Sequence, residues 1–150
     1  MNIIKKLQQM AEKETSFEWC GYNWTCKMAG GRIIHPSYPH TWYSDDNTVV
    51  TRYRNGELHF SYRENPTEIK HWDGNIYYPT IERGLIRTME HFDYGTFSIE
   101  AKMPKGLNLC SAFWLSGYGN WPPEIDIFES WSDDKDYSWK TTNYFPWLTS

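Results

Sequence analysis

From residue 16 onward the chain carries no apolar 3.6-residue period. Instead, apolar and polar residues alternate in short runs separated by turn residues, and this excludes a helical fold. Six runs are read as strands: Thr48–Tyr53, Glu57–Tyr62, Ile81–Arg87, Thr96–Met103, Ser111–Leu115 and Glu124–Trp131. A further strand is expected within Tyr137–Leu148. Asn55-Gly56 between the first two runs predicts a hairpin with a type I′ turn. Residues from Ala29 to Asp46, rich in Gly, Pro, His and Tyr, read as a long irregular segment. Many short strands with almost no helix predict an all-β sandwich. The exception is the N-terminus, where Ile3, Ile4, Leu7, Met10 and Ala11 fall at helical spacing. We read residues 3–13 as a short amphipathic helix or a frayed lead-in within residues 1–15, and residues 16–150 as the N-terminal and central part of a single β-sandwich domain.

Charge and composition narrow the partners. The chain has 15 Lys and Arg against 19 Asp and Glu, a net charge of -4, so it lacks the basic excess of a nucleic-acid binder. The longest unbroken apolar run, Ala112 to Leu115, is far below the ~20 residues that span a bilayer. The lysines at the N-terminus are not followed by the apolar stretch of a secretory signal, and the formal sequon Asn23-Trp24-Thr25 is taken as chance. Three cysteines, Cys20, Cys26 and Cys110, are an odd number and read as buried free thiols, with a Cys20–Cys26 disulfide as the alternative. The five histidines show no ligand spacing, and His59 is expected on an outer sheet face. Arg83 and Arg87 are expected to balance Glu82 and Glu90, with contact to an acidic or sulfated polysaccharide as the alternative. The unusual quantity is aromatic content: nine Trp, eleven Tyr and seven Phe make 18% of the chain, more flat rings than a core needs.

The segment Trp121-Pro122-Pro123-Glu124-Ile125-Asp126-Ile127-Phe128-Glu129-Ser130-Trp131 carries the chemistry. Alternation puts Glu124 and Asp126 on one strand face and Ile125 and Ile127 on the other. Continued unbroken, it would bury Glu129 among the isoleucines and expose Phe128, which is costly. A β-bulge near Ile127-Phe128 resets the alternation and returns Glu129 to the face of Glu124 and Asp126. Three clustered carboxylates repel one another, so the pattern is poor for stability alone. With the bulge, Glu124 and Glu129 behave like residues i and i+4, roughly 13 Å apart at Cα. Two glutamate arms of ~3.5–4 Å each close that gap to about 5–6 Å, the separation of a retaining glycosidase pair. Asp126 between them can set which neighbouring carboxyl holds the proton. A solvated acidic strand face and a calcium site are the competing readings. Calcium ligands come mostly from loops with closely spaced oxygens, not from apolar-alternating strands.

These residues carry a resemblance. Glu124 to Glu129 resembles the E-[ILV]-D-[IVAF]-x-E signature of glycoside hydrolase family 16. Tyr94-Gly95-Thr96-Phe97-Ser98-Ile99-Glu100-Ala101-Lys102-Met103-Pro104 is similar to that family's Y-G-x-[FY]-x-x-[RK]-x-K-x-P region, with Glu100 at a variable position. Ser111 to Leu115 resembles its A-F-W-L strand, Trp121-Pro122-Pro123 also recurs there, and Gly56 to Phe60 resembles its G-x-L-x-[LI] hairpin. The resemblance implies a jelly-roll β-sandwich of the concanavalin A-like kind, with the acidic strand lining a cleft on its concave sheet. It implies Glu124 as nucleophile, Asp126 as its helper and Glu129 as acid/base. The residues alone leave open which glutamate does which.

It further implies a retaining endo-β-glycanase acting on β-1,3- and β-1,4-linked glucans or galactans. No cofactor is required for the chemistry. Some members hold a structural calcium away from the cleft, and no residue here is assigned to one. Sugars present apolar faces and polar edges, so Trp121 and Trp114 are the first expected substrate-stacking rings, with Tyr118, Trp131 and Trp139 as further candidates. A polysaccharide-binding module on the same fold, an inactive fragment of such an enzyme, and a β-sandwich without a glycan ligand are the alternatives. The substrates are extracellular polymers, although no export signal is visible. A jelly roll commonly runs ~200–250 residues, so the 150 residues are expected to hold about two-thirds of one.

Overall fold

The computed structural model describes residues 16–28, 34–35, 38–43, 50–52, 55–71, 73–117, 121–132 and 138–146. Among them are thirteen strands and no helix, as the alternating patterning requires. The helix expected over residues 3–13 lies outside the described residues. The chain divides into two units, Met1–His91 and Phe92–Ser150, taken here in turn.

In the first unit, β1 (Phe17–Trp19) and β2 (Tyr22–Thr25) form a hairpin with Trp19 opposite Tyr22. The two residues between them, Cys20 and Gly21, have φ of 52° and 78°. Positive φ at both positions is the type I′ geometry, whose twist matches that of the flanking strands. Phe17 and Cys26 are buried behind this hairpin, with Trp19, Trp24, Leu58 and Ile86 packed against them. The two indoles meet edge to face at 5.5 Å. Each finds a carbonyl for its N–H: Trp24 Nε1 donates to Trp19 O at 2.9 Å, and Trp19 Nε1 to Gly56 O at 2.6 Å.

The hairpin at Asn55-Gly56 is present, as β4 (Val50–Arg52) and β5 (Leu58–Phe60), but its turn differs from the expectation. Pairing closes at Arg52 and Leu58, so the connection is longer than a two-residue type I′ turn. The Asn55 side chain instead accepts from Glu57 N at 3.2 Å, using the asparagine as a local turn clamp. His59 is exposed, as expected, with Nε2 3.0 Å from Glu57 Oε2.

Three other expectations are corrected. The segment 29–46 is not wholly irregular, because β3 (Thr41–Tyr43) lies within it and pairs in parallel with β9 (Ile81–Arg83). Ile34 bridges Trp42 and is fully buried. The run Ile81–Arg87 is not one strand: it breaks after Arg83, and the chain re-enters a different sheet as β10 (Arg87–Thr88) beside β2. Gly84 falls at the break. The run Thr96–Met103 alternates but forms no strand, because no described segment takes up its backbone hydrogen bonds. Alternation defines faces, whereas a strand also needs a paired neighbour.

Glu82, in the middle of β9, has no exposed surface. Its Oε2 accepts from Arg63 Nε on β6 (Tyr62–Glu64) and from Asn65 Nδ2, each at 2.6 Å. Glu90 accepts instead from the backbone and side chain of Asn23. Arg83 lies over the Tyr43 ring at 4.1 Å, and Arg87 Nε donates to Lys27 O at 2.6 Å. The charges are thus matched by other partners than the sequence neighbours. A short hairpin of β7 (Ile69–Lys70) and β8 (Ile76–Tyr77) completes this unit. All three cysteines are free, and burial holds for Cys26 only, since Cys20 and Cys110 are exposed.

The second unit contains an antiparallel meander of β11 (Cys110–Ser116), β12 (Glu124–Ser132) and β13 (Ser138–Phe145), with β12 in the centre. The last strand falls inside the expected Tyr137–Leu148 segment.

Candidate active site

The central strand carries the acidic motif, and its register decides where each carboxylate points. Glu124 pairs with Ser116 and Phe145, and Asp126 pairs with Trp114 and Asn143. The ladder then slips. On β11, consecutive Trp114 and Phe113 stand opposite Asp126 and Phe128, leaving Ile127 extra. On β13, the two steps from Asn143 to Thr141 span the three steps from Asp126 to Glu129. This is a β-bulge at Ile127-Phe128, where the alternation conflict in the sequence required one. It puts Glu124, Asp126 and Glu129 on one face. Thr142 Oγ1 donates to the Ile127 carbonyl at 3.4 Å, a contact at the bulge itself. Phe128 faces Phe113 on the other side of the sheet, ring centroids 6.4 Å apart. Ile125 shares that side with its partners Leu115 and Tyr144.

The three acids have different surroundings. Asp126 is buried, with 4% of its surface exposed, while Glu124 and Glu129 are half-buried. Asn143, from the neighbouring strand, reaches two of them: its Nδ2 donates to Asp126 Oδ2 at 3.3 Å and to Glu129 Oε2 at 3.0 Å. The carboxyl of Glu129 is pushed above the usual glutamate range. Partial burial is the main cause, the negative charge of Asp126 adds to it, and the Asn143 hydrogen bond opposes both. A carboxyl whose protonated form is favoured, beside a second carboxylate, is an arrangement that general acid catalysis can use. Among the described residues, no group of three or more His, Cys, Asp or Glu is placed to hold a metal ion.

Of the expected stacking rings, Trp114, Trp131 and Trp139 belong to the strands of this sheet. Trp114 is the direct partner of Asp126 and shares its face. Trp131 lies two residues beyond Glu129 on that face and is 38% exposed. Trp121 precedes β12 and is 64% exposed, beside a connection closed by Gly117 N donating to Pro123 O at 2.8 Å. Trp139 pairs in register with Trp131, and Tyr118 lies outside the described residues. Asn143 was not among the residues singled out from the sequence. Its only signal is a lone amide in an expected strand, and that does not reveal which strand it faces.

Residues 42–147 match the model of a known family, described as Glycosyl hydrolases family 16, over well more than half of the chain. The chain belongs to glycosyl hydrolase family 16. It is 34% identical over 95 residues to a glucan endo-1,3-beta-glucosidase of Cryptopygus antarcticus, a match covering 58% of this chain and 33% of that protein. It is 41% identical over 54 residues to the endo-1,3-1,4-beta-glycanase EglC of Rhizobium meliloti (strain 1021), covering 34% and 12%. A second glycanase of that organism, ExsH, is 38% identical over 56 residues, covering 35% and 12%. This family 16 chain therefore spans about a third, or less, of the length of these relatives. No solved structure matches it.

Proposed function

We propose that the chain forms the catalytic part of a retaining endo-β-glycanase acting on β-1,3- or mixed β-1,3-1,4-linked glucan, on a jelly-roll β-sandwich. Glu124 attacks the anomeric carbon as the carboxylate nucleophile. Glu129 delivers its proton to the departing glycosidic oxygen. Water then attacks the glycosyl-enzyme, with Glu129 now taking the proton, and the sugar is released with its configuration retained. Partial burial and then the charge of Asp126, beside it on the same face, disfavour the ionised form of Glu129 and so favour the acid form. Trp114 and Trp131 offer flat surfaces to the apolar faces of successive sugars. The chemistry calls on no cofactor.

The observation that carries this reading is the bulge at Ile127-Phe128, which gathers three carboxylates on one strand face. A sheet optimised for stability has no use for that cluster. The names of the relatives favour glucan over galactan as substrate.

Reducing-end release by the full chain on laminarin, lichenan, agarose and carrageenan is the test. Release is expected from laminarin or lichenan, and none from any of the four overturns the reading. Glu124→Gln and Glu129→Gln are each expected to lose roughly 10²–10⁴-fold in rate with the strand content unchanged by circular dichroism. Wild-type rates in both variants would overturn the assigned roles.

A further inference from the structure

The acidic face contains one polar group that neither the family signature nor the proposed mechanism uses. Asn143 stands opposite Asp126 in the β12–β13 ladder, and the bulge brings Glu129 within reach of the same side chain. One amide nitrogen thereby contacts both acids, at 3.3 Å to Asp126 Oδ2 and 3.0 Å to Glu129 Oε2. Without the bulge, Glu129 would point to the opposite face, beyond Asn143.

An amide NH2 donates and does not accept. Both oxygens it meets must therefore offer lone pairs. When Glu129 is protonated, a proton on Oε2 would make that oxygen the poorer acceptor for the amide, so the bond favours the proton on Oε1. We propose that Asn143 is a positioning residue for the acid. It occupies Glu129 Oε2, directs the transferable proton to Oε1, and ties the position of that carboxyl to the buried Asp126. This rests on the reading of Glu129 as acid/base.

The other groups near Glu129 leave this assignment in place. Its own strand supplies Asp126, with Glu124 further along the same face. β13 supplies Asn143. On β11 the register partner is Ala112, with Trp114 on one side and Cys110, a thiol, on the other. Asn143 is thus the neutral donor set between two acids. Its bond to Glu129 favours the ionised carboxyl, opposing both burial and the charge of Asp126.

Carbon-13 NMR titration of the glutamate side-chain carboxyls reads Glu129 directly, without any need for turnover. Relative to wild type, Asn143→Leu is expected to move the Glu129 midpoint upward, because a bond to the charged form is lost. The same variant should lower kcat roughly ten-fold, the rate equivalent of one charge-assisted hydrogen bond, with little change in KM. Asn143→Gln, which keeps a donor, should recover part of both effects. A midpoint that stays in place in Asn143→Leu overturns the proposal.

Should that variant not fold, the wild-type protein still decides the matter. Both side-chain amide protons of Asn143 are expected to shift with the Glu129 titration, and an amide signal indifferent to it overturns the proposal. A full chain that titrates as described yet hydrolyses none of the four polysaccharides would separate the two readings. The assigned function would then fail while the Asn143 coupling stands.

Discussion

The environment of Glu129 favours its protonated form, at a cost to the fold. Its carboxyl is shifted upward in the folded state by burial and by Asp126. A group whose folded pKa lies above its unfolded value stabilises the fold below the unfolded pKa. That contribution is lost as pH rises through the folded value. At neutral pH the ionised Glu129 therefore weighs against folding, by less than about 1 kcal/mol for so solvated a group. Glu129→Gln removes the charge and keeps an acceptor for Asn143. It is expected to melt slightly above wild type at pH 7, with the gap closing as pH falls below the usual carboxylate range. Thermal melts across pH check this, and a variant that melts lower at every pH contradicts it. Such a trade of stability for a poised acid is common at catalytic sites.

Among the elements, β12 shows how one extra residue makes a site. Its parity is testable without touching any acid. Deleting Ile127 restores plain alternation while leaving Glu124, Asp126 and Glu129 on one face. Inserting one alanine after Phe128 sends Glu129 to the side of Phe113 and Phe128. The deletion is expected to retain measurable hydrolysis, and the insertion to abolish it and to lower stability by placing a carboxylate against Phe113 and Phe128. Equal activity in the two variants would show that face assignment does not govern the site. The bulge was legible in the sequence because the conflict lies within six consecutive residues: no regular strand can put both Phe128 inward and Glu129 with its fellow acids. The turn at Asn55-Gly56 was less legible. Its dipeptide favours a tight I′ turn, yet pairing stops short of it, and the I′ geometry occurs at Cys20-Gly21. There the single glycine was too weak a signal, and the flanking strands impose the turn.

Across the whole molecule, the buried apolar side chains among the described residues are Phe17, Cys26, Ile34, Ile69, Pro79 and Leu85, all in the first unit. Among the described residues of the second unit, the buried ones are Asp126 and Ser130, which are polar. Apolar burial is the main favourable term in folding, so local opening should be easier around the site than behind β1 and β2. Amide hydrogen exchange is expected to protect residues 24–26 more strongly than the β11 amides at 110–116. The reverse order would show that ladder hydrogen bonding, rather than apolar burial, sets the local stability. A site drawn from the less stable part of a chain is consistent with one that must admit and release a polymer.

What the sequence determined alone is whatever a short window of alternation can state. It determined that the chain from residue 16 onward is built on strands, which face each acid takes, that a bulge must fall at Ile127-Phe128, and the ordered motifs that mark family 16. The tertiary structure decided who stands across each ladder. It set β3 in parallel beside β9, buried Glu82 against Arg63 and Asn65, and left Thr96–Met103 without a strand partner among the described residues. It also brought Asn143 between Asp126 and Glu129. The physical reason is that side-chain period is a local property of one strand. Register is a property of two, settled only when distant segments pair and their hydrogen bonds close.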